Sequence, residues 1–139
     1  MIRVAILTVS DSCAAQSRVD VSGQTIKGVL PAGKFEICDY RIVADEHKDI
    51  EEALIDFADT AGADVVFATG GTGLWPRDVT PEATATVCQQ MVPGLAETMR
   101  SEGLKKTKNA MLSRVVAGIR GNTIVINLPG SVKGIEDSL

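Results

Sequence analysis

Apolar and polar positions along this chain alternate between a strand rhythm and a helix rhythm. Residues 4–9, Val4-Ala5-Ile6-Leu7-Thr8-Val9, are apolar almost without interruption, which predicts a strand covered on both faces, as in a parallel sheet. Ser10-Asp11-Ser12 ends it. Residues 13–22 read as a mobile loop with Arg18 and Asp20 exposed, and a helix is predicted from about residue 22 to residue 30, stopped by Pro31 and Gly33. Residues 35–43 form a second predicted strand whose charges, Glu36, Asp39 and Arg41, suit a sheet edge. After Asp45 the apolar residues Ile50, Ala53, Leu54, Phe57, Ala58 and Ala61 recur at helical spacing with acids opposite, giving an amphipathic helix that Gly62 ends. Residues 65–69 are the third predicted strand.

Thr80-Pro81-Glu82 signals a helix start, with Thr80 as the cap and Pro81 in the first turn. Pro93-Gly94 interrupts the helical run, which resumes over residues 95–102. Residues 115–119 and 123–128 are two further strands, and Gly121-Asn122 between them predicts an antiparallel hairpin. Pro129-Gly130-Ser131 breaks the last strand, and Ser131 can cap a short final helix. The order β-α-β-α-β-α followed by a hairpin predicts a three-layer αβα sandwich, with a mostly parallel sheet containing one antiparallel hairpin strand. No repeat, linker or low-complexity segment divides residues 1–139, which read as a single domain. Ligands of such sheets bind beyond the carboxyl ends of the strands. Ser10-Asp11-Ser12, Asp45, residues 69–73 and residues 129–131 all fall at such ends.

Composition narrows the choice. Aromatic residues make up 4%, the formal net charge is -4 and the isoelectric point is near 4.9. A base-stacking surface or a general nucleic-acid or anionic-membrane binder is therefore excluded. The apolar run at the N-terminus is too short to span a membrane and reads as a strand, not a signal peptide. Cys13, Cys38 and Cys88 are widely spaced and odd in number, without a metal or redox motif, and read as structural thiols of a cytoplasmic protein. His47 stands alone, without a second histidine or nearby cysteine for zinc. Lys105, Lys106 and Lys108 read as a solvated basic loop.

The segment with most chemical character is Thr69-Gly70-Gly71-Thr72-Gly73, followed by Asp78. Its glycines permit positive φ and close approach of a ligand to the main chain, and successive amides there can form an anion-binding nest. It is neither the phosphate loop ending in Gly-Lys-Ser/Thr nor the dinucleotide fingerprint, since Pro76 stands where the latter needs glycine or alanine. A tight strand-to-helix turn and a ligand site both remain open from the glycines alone, as do a helix cap or a ligand role for Asp45 and a turn acid or a ligand role for Asp78. Trp75 beside the turn either packs the loop or an interface, or stacks on a heteroaromatic ring.

The motif series Thr8-Val9-Ser10-Asp11-Ser12, Ile42-Val43-Ala44-Asp45-Glu46, the glycine turn, Pro76-Arg77-Asp78-Val79-Thr80-Pro81-Glu82-Ala83-Thr84, Pro93-Gly94-Leu95-Ala96-Glu97, Met111-Leu112-Ser113-Arg114 and Leu128-Pro129-Gly130-Ser131 covers nearly the whole chain. In this series the chain resembles the molybdopterin-binding domain of MogA/MoaB-type molybdenum cofactor biosynthesis proteins. A proline often stands at position 44 in that family, and its members usually continue through a further helix beyond the point matching Leu139. The resemblance implies a molybdopterin adenylyltransferase using ATP and Mg²⁺, with a noncatalytic molybdopterin carrier or scaffold as the alternative. It implies catalytic, metal-holding roles for Asp45 and Asp78. Substrate contacts would come from Ser10, Asp11, Thr69, Gly70, Gly71, Thr72, Gly73, Ser113, Pro129, Gly130 and Ser131. Arg114 either supports substrate or anchors a subunit contact. A homotrimer is implied as well, together with hand-over to a molybdenum-inserting enzyme.

Overall fold

In the computed structural model, which describes residues 1–130 and 134, four strands run parallel. They are β1 (Ile2–Val9), β2 (Phe35–Val43), β3 (Val65–Thr69) and β6 (Thr123–Leu128). Two short strands, β4 (Gln90–Met91) and β5 (Ala117–Arg120), complete the sheet in the order β2-β1-β3-β6-β5-β4. β5 is antiparallel to β6 across the Gly121-Asn122 turn, as the pattern predicts, and β4 is antiparallel to β5. The charged strand β2 lies at an edge.

Alternation along β1 explains the layering. Ala5, Leu7 and Val9 point to one face and pack with Ile50, Ala53, Leu54 and Phe57 of the stripe-bearing helix and with Ala83 and Val87. Val4 and Ile6 point to the other face and pack with Ile26, Phe67, Leu128 and Met99. The first layer is thus α3 (His47–Ile55) and α4 (Thr80–Val87), and the second is α2 (Val21–Val29) and α5 (Pro93–Leu104). α3 continues through a π-helical turn at Asp56–Thr60 before Gly62, at φ 65°, ends it. These helices on both faces are the sandwich the pattern implies.

Four local expectations are corrected. Residues 13–22 are not a featureless loop: a one-turn helix α1 (Asp11–Ala14) opens the segment, with the Ser10 side chain accepting from the Cys13 amide. Asp20 is buried, not exposed, because its carboxylate caps α2 through the Gly23 amide (2.9 Å) and accepts the Thr8 hydroxyl (2.7 Å). Thr80 does not cap α4; the cap position is Val79, and the Thr80 hydroxyl is buried without a hydrogen-bond partner among the described residues. Finally, α4 stops at Val87 rather than running to Pro93. Two residues of strand intervene, and Pro93 begins α5, where a missing N–H costs nothing. The three cysteines are free and partly buried, and burial pushes the thiols of Cys38 and Cys88 up.

Candidate functional site

The parallel strands deliver their carboxyl ends to one rim. The glycine bend after β3 and the Pro129-Gly130 bend after β6 meet there. The Thr69 hydroxyl donates to the Pro129 carbonyl at 2.7 Å, and the Gly70 amide donates to the Leu128 carbonyl at 3.2 Å. A Cβ on Gly130 would lie 3.3 Å from the Gly70 Cα, so the two backbones approach closely. Gly70 (φ 94°) and Gly71 (φ 66°) take the left-handed conformation. At Gly70 a Cβ would lie 2.3 Å from the Val9 carbonyl oxygen, a collision with backbone that only glycine avoids.

A cavity of about 270 Å³ opens between this junction and the end of β1. Ser10, Arg18, Ser22, Thr69, Gly70 and Gly130 are among its walls. The Ser22 hydroxyl donates to the Gly130 carbonyl (2.6 Å), tying α2 to the same rim.

The acids stand beside the glycine bend. Asp11 and Asp45 hold each other reciprocally: the Asp11 amide donates to Asp45 Oδ2 (3.1 Å), and the Asp45 amide donates to Asp11 Oδ1 (2.9 Å). Asp45 is therefore not a helix cap; Glu46 occupies that position, and it makes no side-chain cap. Asp45 Oδ1 faces Gly71, 3.2 Å from where a Cβ would sit. Burial pushes the Asp45 carboxyl up, and the charges of Asp11 and Asp78 push the same way against the opposing hydrogen bond from Asp11. Asp78 Oδ2 accepts the Trp75 amide (3.1 Å) and sits against Gly73, while Trp75 itself is 79% exposed.

Two arginines hold these acids and loops. Arg77 grips Asp11 with Nε and an η nitrogen at 2.9 and 2.8 Å and reaches Glu46 at 3.0 Å. The Arg77 guanidinium beside Asp11 holds that carboxyl below its usual range. Arg114 donates to the carbonyls of Gly73 (2.7 Å) and Asp78 (2.6 Å) and to both oxygens of Glu82, and its amide donates to Thr72 (2.9 Å). Arg114 is thus a brace within the chain between the glycine bend, the Asp78 loop and α4.

Ser10, Asp11, Asp45, residues 69–73, Asp78, Pro129 and Gly130 all gather at this rim. Ser113 lines a neighbouring, mostly apolar cavity of about 170 Å³ with Met99, Arg100 and Val115, joined to the rim by Pro129. Ser131 lies outside the described residues. His47 pairs with Glu51 on α3 (3.3 Å), and Lys105 pairs with Glu102 (3.1 Å).

The sequence profile described as "Probable molybdopterin binding domain" matches residues 5–139. The chain belongs to this family. It is 44% identical over 140 residues to a Helicobacter pylori protein named molybdopterin adenylyltransferase, covering 99% of this chain and 80% of that one. An Escherichia coli protein of the same name is 34% identical over 141 residues, covering 99% of this chain and 72% of that one. The crystal structure of a Thermus thermophilus molybdopterin biosynthesis enzyme, MoaB, superposes with a TM-score of 0.94 at 51% identity, covering 100% of this chain and 87% of that one. The MoaB chain therefore shares this fold. Among the described residues no helix is long and apolar enough to cross a membrane.

Sequence reasoning left Arg77 without a role and Asp20 in the wrong environment. The signal for Arg77 was its place beside Asp78, the one acid of the glycine-rich segment. No local signal brings it to Asp11, 66 residues away.

Proposed function

We propose that this chain is a molybdopterin adenylyltransferase. In this reaction an oxygen of the terminal phosphate of molybdopterin attacks the α-phosphorus of ATP. A new P–O–P linkage forms, the bond between the α-phosphorus and its bridging oxygen breaks, and pyrophosphate leaves with the electron pair. The attacking oxygen is already anionic, so the protein must align the two phosphates and offset their repulsion rather than remove a proton. The observation that carries the reading is the junction of the glycine bend with the Pro129-Gly130 bend, with the carboxylates of Asp45 and Asp78 set against Gly71 and Gly73 of that bend. Supporting it are relatives named for this activity that match nearly the whole chain.

Ser10, Thr72 and the amides of Gly71 and Gly130 would bind and orient the substrate phosphate, with Thr69 and Gly70 holding the two bends together behind them. Asp45 and Asp78 are the pair that would hold Mg²⁺. Among the described residues no group of three or more ligating side chains gathers. Magnesium accepts one or two carboxylates plus waters and substrate phosphates, so the pair fits it. Asp45 spends only Oδ2 on Asp11 and keeps Oδ1 toward Gly71, which leaves an oxygen for the ion. When bound, Mg²⁺ neutralises phosphate charge. We place Ser113 beside the substrate from the apolar side, where its buried hydroxyl has no hydrogen-bond partner among the described residues. A homotrimer is part of the reading, supported by the exposed Leu74, Trp75, Met111 and Leu112.

The test is pyrophosphate release from ATP with and without molybdopterin. Turnover should require both, and Asp78→Asn should lower kcat by about 100-fold or more while leaving molybdopterin binding within about threefold. Molybdopterin binding without ATP binding or turnover would instead make the chain a carrier. Undiminished turnover in Asp45→Asn and Asp78→Asn would remove both acids from the mechanism.

A further inference from the structure

We propose that Arg77 is a positioning residue, which fixes Asp45 for the reaction by clamping Asp11. This inference rests on the adenylyltransferase reading and adds to it a residue that touches neither substrate.

The Asp45 carboxylate is constrained from elsewhere in the chain. Neither its own strand nor α3 fixes its carboxylate. What fixes it is the Asp11 amide on Oδ2, and the Asp45 backbone is in turn fixed by Asp11 Oδ1. Asp11 therefore carries the alignment, yet it is exposed and sits in the first turn of a four-residue helix, a poor anchor by itself. Two acids held this close also repel each other, and Asp78 adds to the repulsion felt by Asp45. Something must hold Asp11 in place against that repulsion.

Arg77 has the geometry to do so. Its Nε and one η nitrogen meet the two Asp11 oxygens at 2.9 and 2.8 Å, a fork-on-fork contact that fixes direction as well as distance. Its other η nitrogen meets Glu46 at 3.0 Å, the residue next to Asp45. One guanidinium thus spans both segments that flank the Asp11–Asp45 pair. It is tied covalently to Asp78, the other acid of the site, so the two acids are set relative to one another through this side chain. Lysine cannot replace it, because a single ammonium does not present two parallel donors to one carboxylate.

The side chain of Arg77 is 55% exposed, so small solutes can reach its place. In Arg77→Ala, kcat should fall by about 10–100-fold with the KM for ATP within about threefold, the pattern of lost alignment rather than lost binding. Arg77→Lys should recover little of the loss, whereas free guanidinium ion should partly restore the Ala variant. Without any ligand, amide hydrogen exchange at Asp11 and Asp45 should quicken by about tenfold in Arg77→Ala and slow again with guanidinium. In a double-mutant cycle, Asp11→Asn and Arg77→Ala should be strongly non-additive, since both break one path.

A folded Arg77→Ala with unchanged kcat and unchanged exchange at Asp45 would overturn the proposal. So would additivity with Asp11→Asn, or a rise in the KM for ATP that accounts for the whole loss; the latter would make Arg77 a phosphate contact. If Arg77→Ala does not fold, Arg77→Lys and Arg77→Gln carry the same comparison. A wild-type chain without turnover defeats the adenylyltransferase reading alone, because the exchange measurement still tests the clamp.

Discussion

Gly71 is the position where backbone conformation, buried packing and the site coincide, and Gly71→Ala separates them with the help of a control. Gly71 has φ 66°, and an added Cβ would lie 2.3 Å from the Thr80 hydroxyl oxygen and 3.2 Å from Asp45 Oδ1. Gly62 has almost the same φ, 65°, with nothing within 4 Å of the Cβ position. Both substitutions incur the left-handed penalty, offset in part by the reduced freedom of the unfolded chain, for a net cost of about 1 kcal/mol. Gly71→Ala must also displace Thr80, which is fully buried at the start of α4, and overpacking of that kind adds about 1–3 kcal/mol. The expected losses are thus about 1 kcal/mol for Gly62→Ala and about 2–4 kcal/mol for Gly71→Ala, read by urea unfolding followed by circular dichroism. In melting temperature, each kcal/mol is worth about 2–4 °C for a domain of this size. Because the glycine bend must shift away from Thr80, pyrophosphate release should fall by about 100-fold in Gly71→Ala, as for a misplacement near 1 Å, and stay unchanged in Gly62→Ala. Equal destabilisation of the two variants would refute the steric argument. Normal turnover in Gly71→Ala would remove the bend from the reaction.

Asp45→Asn should be more stable than the parent at neutral pH while losing turnover. A raised carboxyl favours the protonated form in the folded state, so its stability contribution is present at low pH and lost as pH rises through the raised folded value, above the ordinary 3.8. The advantage of the Asn variant should therefore shrink toward pH 4, which urea midpoints across pH will show. Asn127→Ala should cost about 2–3 kcal/mol in the same assay. Asn127 is fully buried; its amide donates to the Thr84 hydroxyl at 2.9 Å and its Oδ1 accepts the Val116 amide at 3.2 Å, so truncation removes two buried hydrogen bonds and strands the Val116 amide, while the Thr84 hydroxyl keeps its bond to the Thr80 carbonyl.

Long elements with a clear period were legible in the sequence. The stripe from Ile50 to Phe57 is buried at the expected positions, and Gly121-Asn122 closes the expected hairpin. The convergence at the rim was legible too, because strand ends in a parallel sheet share one side whatever their order. β4 was hidden because two residues show no period and owe their place to pairing with β5. Asp20 misled because a carboxylate after a polar loop looks solvated, and only the fold brings the Thr8 hydroxyl beneath it. Thr80 followed the rule for a capping residue, but its amide is taken by the Gly71 carbonyl and its side chain is turned into the core. The clamps of Arg77 and Arg114 join segments more than thirty residues apart, beyond the reach of any local pattern.

The outer strands say something about how copies of this chain can meet. One margin of the sheet carries Glu36, Asp39 and Arg41, and a foreign strand laid against it would have to accommodate those charges. The opposite margin is only two residues long, too short a template to recruit a neighbour. Main-chain annealing between molecules is therefore discouraged at both ends, which protects the protein from fibrous growth. Self-association is left to side-chain surfaces, where a few substitutions can tune or abolish it without touching the sheet.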